Sequence, residues 1–296
     1  MSKTEIKTIV DELRNFHWGE SISEMRTNFK AKFTMPDRPN TKIKSVDANG
    51  VPADLISASE ACGKRIILYL HGGGYLVGDR HTYRRLASDL SAAAQTPVLL
   101  IDYRLAPEHP FPAALEDALA SYRWLIEEGD FNPTQIALAG DSAGANLALS
   151  MMLSLKKDGQ SLPACALLMS PFTDFARKGS SLQTLAAQDP FVSSELLEMV
   201  VNSYFPQGDY LNPIVSPIYA DLSTLPPLLI HVGSQEILLD DSLRLAGKAA
   251  ADNVAVELKV WQDMIHCFQL FAPNLADGRK AISEAGAFAI AHLERE

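Results

Sequence analysis

The residues with the clearest chemical potential lie in one short run. Gly140-Asp141-Ser142-Ala143-Gly144 follows the apolar segment Ile136 to Ala139 and precedes an Ala/Leu-rich segment. A strand, a sharp bend and a helix in that order set Ser142 at the bend, exposed and strained. A serine so placed is suited to nucleophilic attack on an electrophilic carbon, provided that a base removes its proton. The glycines two before and two after it leave room where the helix start packs on the strand. The helix N-terminus beneath Ser142 favours negative charge nearby. Given ordinary glycine usage of about 7%, such a pentapeptide arises by chance in roughly one chain in ten of this length. It therefore gains meaning only with an oxyanion site, a base and an acid beside it.

A second motif, His71-Gly72-Gly73-Gly74-Tyr75, directly follows the apolar run Ile66 to Leu70. Consecutive glycines after a central strand leave backbone N–H groups free to converge on a developing oxyanion. Gly72 and Gly73 are the expected donors, joined by the N–H of Ala143, the residue after the nucleophile. A phosphate cradle fits less well, because the lysine of G-x-x-x-x-G-K-[ST] and the wider G-x-G-x-x-G spacing are both missing.

The elements that must position these motifs follow from hydrophobic patterning. Short apolar strands are expected at Ile66 to Leu70, Val98 to Ile101, Ile136 to Ala139, Ala164 to Met169, Leu228 to Val232 and Val254 to Val260. They alternate with helical segments near Tyr83 to Ala94, Ala113 to Glu127 and Ala145 to Leu155, which implies an α/β fold with a mainly parallel sheet covered on both faces. In such sheets ligands bind at the carboxyl ends of the strands, where Ser142 lies. Asp47-Ala48-Asn49-Gly50 between Lys42 to Val46 and Ala53 to Ser57 predicts a hairpin at the start of the sheet. Residues 1 to about 33 predict one or two amphipathic helices, with Ile6, Val10, Leu13, Phe16 and His17 at helical spacing. Almost 60 residues separate the strand ending near Ser170 from the one starting near Leu228, too many for a simple crossover. That interval is expected to insert a helical cap over the carboxyl edge of the sheet, together with the N-terminal helices; a long crossover is the alternative. The expected organisation is N-terminal helices over 1–40, a core over 41–174 and 218–296, and a cap insertion over 175–217.

The composition narrows the partners. With 296 residues, 47% hydrophobic, the chain can bury one large α/β core. Its net charge of -10 disfavours nucleic acid and anionic membrane surfaces. Cys62, Cys165 and Cys267 lie far apart without a C-x-x-C pair, so neither a disulfide framework nor a metal site is expected and a reducing, cytoplasmic setting fits. The charged N-terminal residues lack the pattern of a signal peptide, and no apolar run is long enough for a membrane anchor.

Taken together, His71 to Tyr75, the run Asp102-Tyr103-Arg104-Leu105-Ala106-Pro107-Glu108-His109-Pro110-Phe111-Pro112-Ala113-Ala114, and Gly140 to Gly144 resemble the hormone-sensitive-lipase-like branch of the α/β-hydrolases, particularly its microbial carboxylesterases. The resemblance extends from about Arg65 to the C-terminus. It implies an α/β-hydrolase fold, an eight-stranded mostly parallel sheet with helices on both faces and a helical cap, with Ser142 as nucleophile and no cofactor. In this fold the chain order is serine, acid, histidine, which leaves His231, His266 and His292 as bases. His231 interrupts an apolar strand and suits the core, and His292 belongs to the terminal helix. His266 follows the last strand at the edge that carries Ser142, and is the expected base. For the acid, Gly233-Ser234-Gln235-Glu236-Ile237-Leu238-Leu239-Asp240 matches the family's Gly-x-x-acid-x-Leu-x-Asp pattern, with Glu236 where aspartate is commoner. Asp240 and Asp241 remain rivals, although carboxylates at a helix start have a structural use in capping.

Asp102, Arg104 and Glu108 are expected to be scaffold for the glycine loop, Asp141 to make local hydrogen bonds, and Cys267 to pack inertly beside the base. The resulting expectation is a serine carboxylesterase acting on a small-molecule, short-chain ester. A lipase, amidase or lactonase would use the same residues. The family also contains a plant hormone receptor that has lost its histidine, so a non-catalytic binding role is the less favoured alternative here, where His266 is present. The family's microbial members often pair through the last strand, which implies a homodimer through the edge near Ala255 to Val260.

Overall fold

A computed structural model describes residues 2–61, 64–206 and 208–293; Cys62 lies outside them. The elements run α1 (Ser2–Arg14), α2 (Ile22–Phe33), β1 (Lys42–Asp47), β2 (Pro52–Ser57), β3 (Ile66–Leu70), α3 (Arg80–Ala94), β4 (Val98–Ile101), α4 (Ala113–Glu127), β5 (Ile136–Asp141), α5 (Ala143–Lys157), β6 (Cys165–Met169), α6 (Ser181–Thr184), α7 (Ser194–Tyr204), β7 (Leu228–Gly233), α8 (Leu239–Ala251), β8 (Val256–Trp261) and α9 (Ala276–His292). The eight strands form one sheet in the order β1-β2-β4-β3-β5-β6-β7-β8. β2 runs antiparallel to β1 and β4, and every pairing from β4 to β8 is parallel.

Every residue of β3, β4, β5, β6 and β7 is buried. A strand can be continuously apolar in this way only when helices cover both faces of the sheet. α3 packs against α9, and α4 against α5. The register places Gly140 opposite Leu70 and Asp141 opposite Met169, so the glycine loop after β3 and the bend after β5 emerge side by side at the carboxyl edge.

Three details differ from the sequence pattern. α1 ends at Arg14, so Phe16 and His17 leave the helix, and Phe16 turns edge-on to Trp18 and Phe33. β8 starts at Val256 rather than Val254, because the Val254 N–H bonds the Ala249 carbonyl at the end of α8 instead of joining the sheet. Asp240 and Asp241 lie in the first turn of α8 but make no cap bond to it. Their carboxylates instead hold the N–H groups of Ser180 and Ser181, and of Thr173 and Asp174, in the segment between β6 and β7.

Candidate active site

Ser142 sits between the last residue of β5 and the first of α5, at φ 52 and ψ -117, a region that L-residues occupy only at a cost. Its N–H bonds the Met169 carbonyl at 2.8 Å, and its own carbonyl accepts from Asn146 N–H at 3.1 Å, so β6 and α5 hold the bend in place. The glycines are required by contact. A Cβ on Gly140 would lie 2.5 Å from the Gly144 carbonyl oxygen, and one on Gly144 would strike the Leu70 carbonyl oxygen.

The glycine loop differs in one respect from expectation. The Gly72 N–H donates to Asp141 Oδ1 at 2.9 Å and so does not point at Ser142. Asp141 also accepts from the hydroxyls of Tyr69 at 2.9 Å and Tyr83 at 3.0 Å. This buried carboxylate therefore ties the pentapeptide to the loop, which is more than the local bonding expected of it. Gly73 and Gly74 border the cavity beside Ser142, at φ 102 and 62. Tyr103 hydroxyl bonds the His71 carbonyl at 2.6 Å, and Ala106 N–H bonds the Tyr75 carbonyl at 2.9 Å. Asp102 accepts from Arg80 N–H, Arg104 pairs with Asp117 and Glu116, and Glu108 pairs with Arg26. All three side chains thus brace the scaffold around the loop.

His266 and Glu236 are both buried, with His266 Nδ1 3.5 Å from Glu236 Oε2. Glu236 Oε2 also accepts from Ser170 Oγ at 2.8 Å, and Ser170 Oγ accepts in turn from Cys267 N–H at 3.1 Å. His266 Nε2 has Cys267 Sγ as a neighbour at 3.3 Å. Burial pulls the imidazole pKa down, but the adjacent Glu236 carboxylate, with Asp189 and Asp141, outweighs it and holds His266 above the ordinary histidine value. Burial pushes the Cys267 thiol well up, so it stays protonated and unreactive.

The rival groups point elsewhere. His231 is buried edge-on to Trp261, and burial pushes it down to about 4. His292 Nδ1 lies 2.9 Å from the Phe288 carbonyl. Burial pushes Asp241 up to about 7, while Asp240, bonded by Ser180, is held low.

Ser142, His266, Gly73 and Gly74 border one cavity whose lining is mostly apolar. Its walls include Trp18, Met25 and Phe29 from the N-terminal region and Phe191, Val192, Leu197 and Val200 from the segment between β6 and β7. Trp18 stacks between Phe29 and Phe191, with ring centroids 6.0 and 5.4 Å away. These aromatics give no signal in the sequence, because isolated Trp and Phe outside the sheet follow no period. Ser170 was equally silent, since only the fold brings it to Glu236. Among the described residues no group of His, Cys, Asp or Glu is placed to hold a metal ion, and no helix is long and apolar enough to cross a membrane.

Residues 67–270 match the α/β-hydrolase fold family. The chain is 43% identical over 224 residues to an acetyl-hydrolase of Streptomyces hygroscopicus, covering 76% of this chain and 75% of that one. It is 37% identical over 258 residues to an esterase of Acinetobacter venetianus, covering 86% and 84%. The crystal structure of an esterase from the bacterial hormone-sensitive lipase family superposes with a TM-score of 0.95 at 39% identity, over 98% of this chain and 99% of the other.

Proposed function

The chain belongs to the hormone-sensitive-lipase-like α/β-hydrolases and is a carboxylic-ester hydrolase, and from that premise we propose that it cleaves short-chain acyl esters through an acyl-enzyme on Ser142. The observation that carries this proposal is the strained Ser142 sharing one buried apolar cavity with His266, whose Nδ1 faces Glu236. Ser142 Oγ attacks the ester carbonyl while His266 takes its proton. The N–H groups of Gly73, Gly74 and Ala143 receive the negative oxygen. The C–O bond to the alcohol then breaks, and His266 returns the proton to the departing alkoxide. Water repeats the sequence on the acyl-enzyme, releasing the acid and restoring Ser142. Glu236 orients the imidazole and stabilises its charged form. The Gly72 N–H, occupied by Asp141, holds the loop in shape.

The walls favour neutral, compact acyl groups, because burying a charge against Trp18, Phe29 and Phe191 without a partner is costly. The acetyl-hydrolase relative points the same way. Longer acyl groups would suit a lipase, while amides or lactones need only a different leaving group, so rates across acyl lengths and across ester, amide and lactone probes separate these readings. Residues 1–40 and 175–217 act as a cap over the core 41–174 and 218–296, a role supported by the Trp18–Phe191 stack. β8 ends the sheet order with Val260 exposed. Antiparallel pairing of two copies about Leu258 would set Glu257 of one against Lys259 of the other, a homodimer that light scattering at several concentrations tests. The cytoplasmic setting rests on the widely spaced cysteines and is tested by cell fractionation. For the chemistry, an active-site phosphonate should label Ser142 alone; labelling elsewhere, or hydrolysis surviving Ser142→Ala, would refute it.

A further inference from the structure

The loop carrying Glu236 is gripped at the next residue by two side chains from the segment between β6 and β7. Asp189 Oδ2 accepts the Ile237 N–H at 2.9 Å, and Ser181 Oγ donates to the Ile237 carbonyl at 2.6 Å. The other oxygen of the same carboxylate, Asp189 Oδ1, accepts the N–H groups of Phe191 and Val192, both at 2.9 Å. Phe191 and Val192 are cavity wall, and the Phe191 ring lies 6.2 Å from that of His266. One buried carboxylate thus joins the wall of the site to the backbone behind Glu236.

The residue type is informative. An asparagine would make the same local turn with Phe191 and Val192 through its single oxygen. Only a carboxylate offers a second acceptor to Ile237, and burying it costs free energy that a turn alone does not require. Glu236 needs this outside support, since among the described residues only Ser170 and His266 meet its carboxylate, and Oε1 is buried without a partner.

We propose that Asp189 is a positioning residue for hydrolysis, clamping Ile237 and the Phe191–Val192 wall together so that Glu236 stays aligned with His266. The inference rests on the Ser142–His266–Glu236 assignment above. It makes acid–base alignment depend on the cavity wall being in place, so the segment that shapes the substrate site also completes the catalytic one. The groups facing His266 are Glu236 from the loop after β7, Asp189 from the inserted segment, Asp141 from β5 and the neutral Cys267 thiol beside it. The three carboxylates all push the imidazole up, so neutralising Asp189 lets it fall.

The test is Asp189→Asn, assayed with p-nitrophenyl acetate across pH beside Ser142→Ala, with melting curves for each. A misaligned base lowers kcat about 10- to 100-fold, with KM little changed, and the acidic limb of kcat/KM moves to lower pH. An unshifted limb with kcat intact overturns the proposal, whatever happens to the melting temperature, because a purely structural clamp alters only stability. If Asp189→Asn does not fold, Asp189→Glu decides: it keeps the charge but moves the carboxylate away from the Ile237 N–H, so kcat should fall with the limb in place, and an unchanged kcat overturns the proposal. Activity surviving in Ser142→Ala would instead break the acyl-enzyme assignment, independently of Asp189.

Discussion

The two halves of the cavity are made in different ways. The half at the sheet edge is backbone: Ser142 at its bend, Gly73 and Gly74 in left-handed conformations, and glycines whose added Cβ atoms would strike neighbouring carbonyls. The half contributed by the N-terminal region and the inserted segment is side chain: Trp18, Phe29 and Phe191 line it, with Phe33 packed behind Phe29 and Phe191. Backbone built into a sheet is held by many bonds at once and keeps reacting groups within a fraction of an ångström. Aromatic packing is less directional, and one ring can be exchanged for another at moderate cost. The division implies that reaction type resides in the first half and substrate range in the second, with Glu236 and Asp189 at the seam.

The largest effect should come from the first half. Ser142→Ala is expected to lower kcat by about 10^6, with KM and the folded structure retained, as steady-state kinetics and circular dichroism would show. Glu236→Gln comes next, at about 10^4 in kcat, because a neutral partner neither orients the imidazole nor stabilises its charge. The sign of the pH effect follows from the same pair. Under the proposed mechanism His266 is neutral when it accepts the Ser142 proton, and it is held above the ordinary histidine value, so activity should fall as pH drops through a point above 6.5. Glu236→Gln should move that limb downward. Asp240→Asn and Asp241→Asn, whose carboxylates secure the Ser180 and Thr173 loops, should lower the melting temperature and leave the limb in place.

The second half should respond more gently. Trp18→Ala removes the ring stacked between Phe29 and Phe191, costing less than the ~3–5 kcal/mol of a fully buried aromatic because Trp18 is half-buried, and opens the cavity. Expected outcomes are a several-fold rise in KM for acetyl esters and a shift of kcat/KM toward longer acyl chains. An unaltered chain-length profile would mean that the cavity's far wall lies elsewhere and would break the division of labour.

The same contrast governs how much could be read from the chain. The sheet, the bend at Ser142 and the His71 loop were legible because each imposes a local rule: continuous apolar runs for strands covered on both faces, glycine where a Cβ has no room. His266 is predicted from its place just after the last strand and Glu236 from the resemblance's Gly-x-x-acid-x-Leu-x-Asp pattern, and the two side chains lie 3.5 Å apart. The split between Gly72 and Gly74 was not legible, since three adjacent glycines look alike until Asp141 is seen to occupy the first N–H. Trp18, Ser170 and Asp189 were silent for a related reason. Their roles arise from contacts between segments far apart in sequence, and aromatic packing or a lone buried carboxylate follows no spacing.

The smallest expected effect bears most directly on the backbone half. At φ 52 and ψ -117 a side chain at position 142 is strained by about 1–3 kcal/mol, and glycine adopts such angles without that penalty. Ser142→Gly should therefore be inactive yet more stable, by about 1 kcal/mol after glycine's greater loss of chain entropy is subtracted. Denaturant melts of Ser142→Gly and Ser142→Ala, both lacking the hydroxyl, isolate the backbone contribution. Ser142→Gly melting below Ser142→Ala would show that the bend stores no strain. The exposed position of the nucleophile would then come from the packing of β5 against α5 alone, and the sheet-edge half would owe its accuracy to contact, as the aromatic half does.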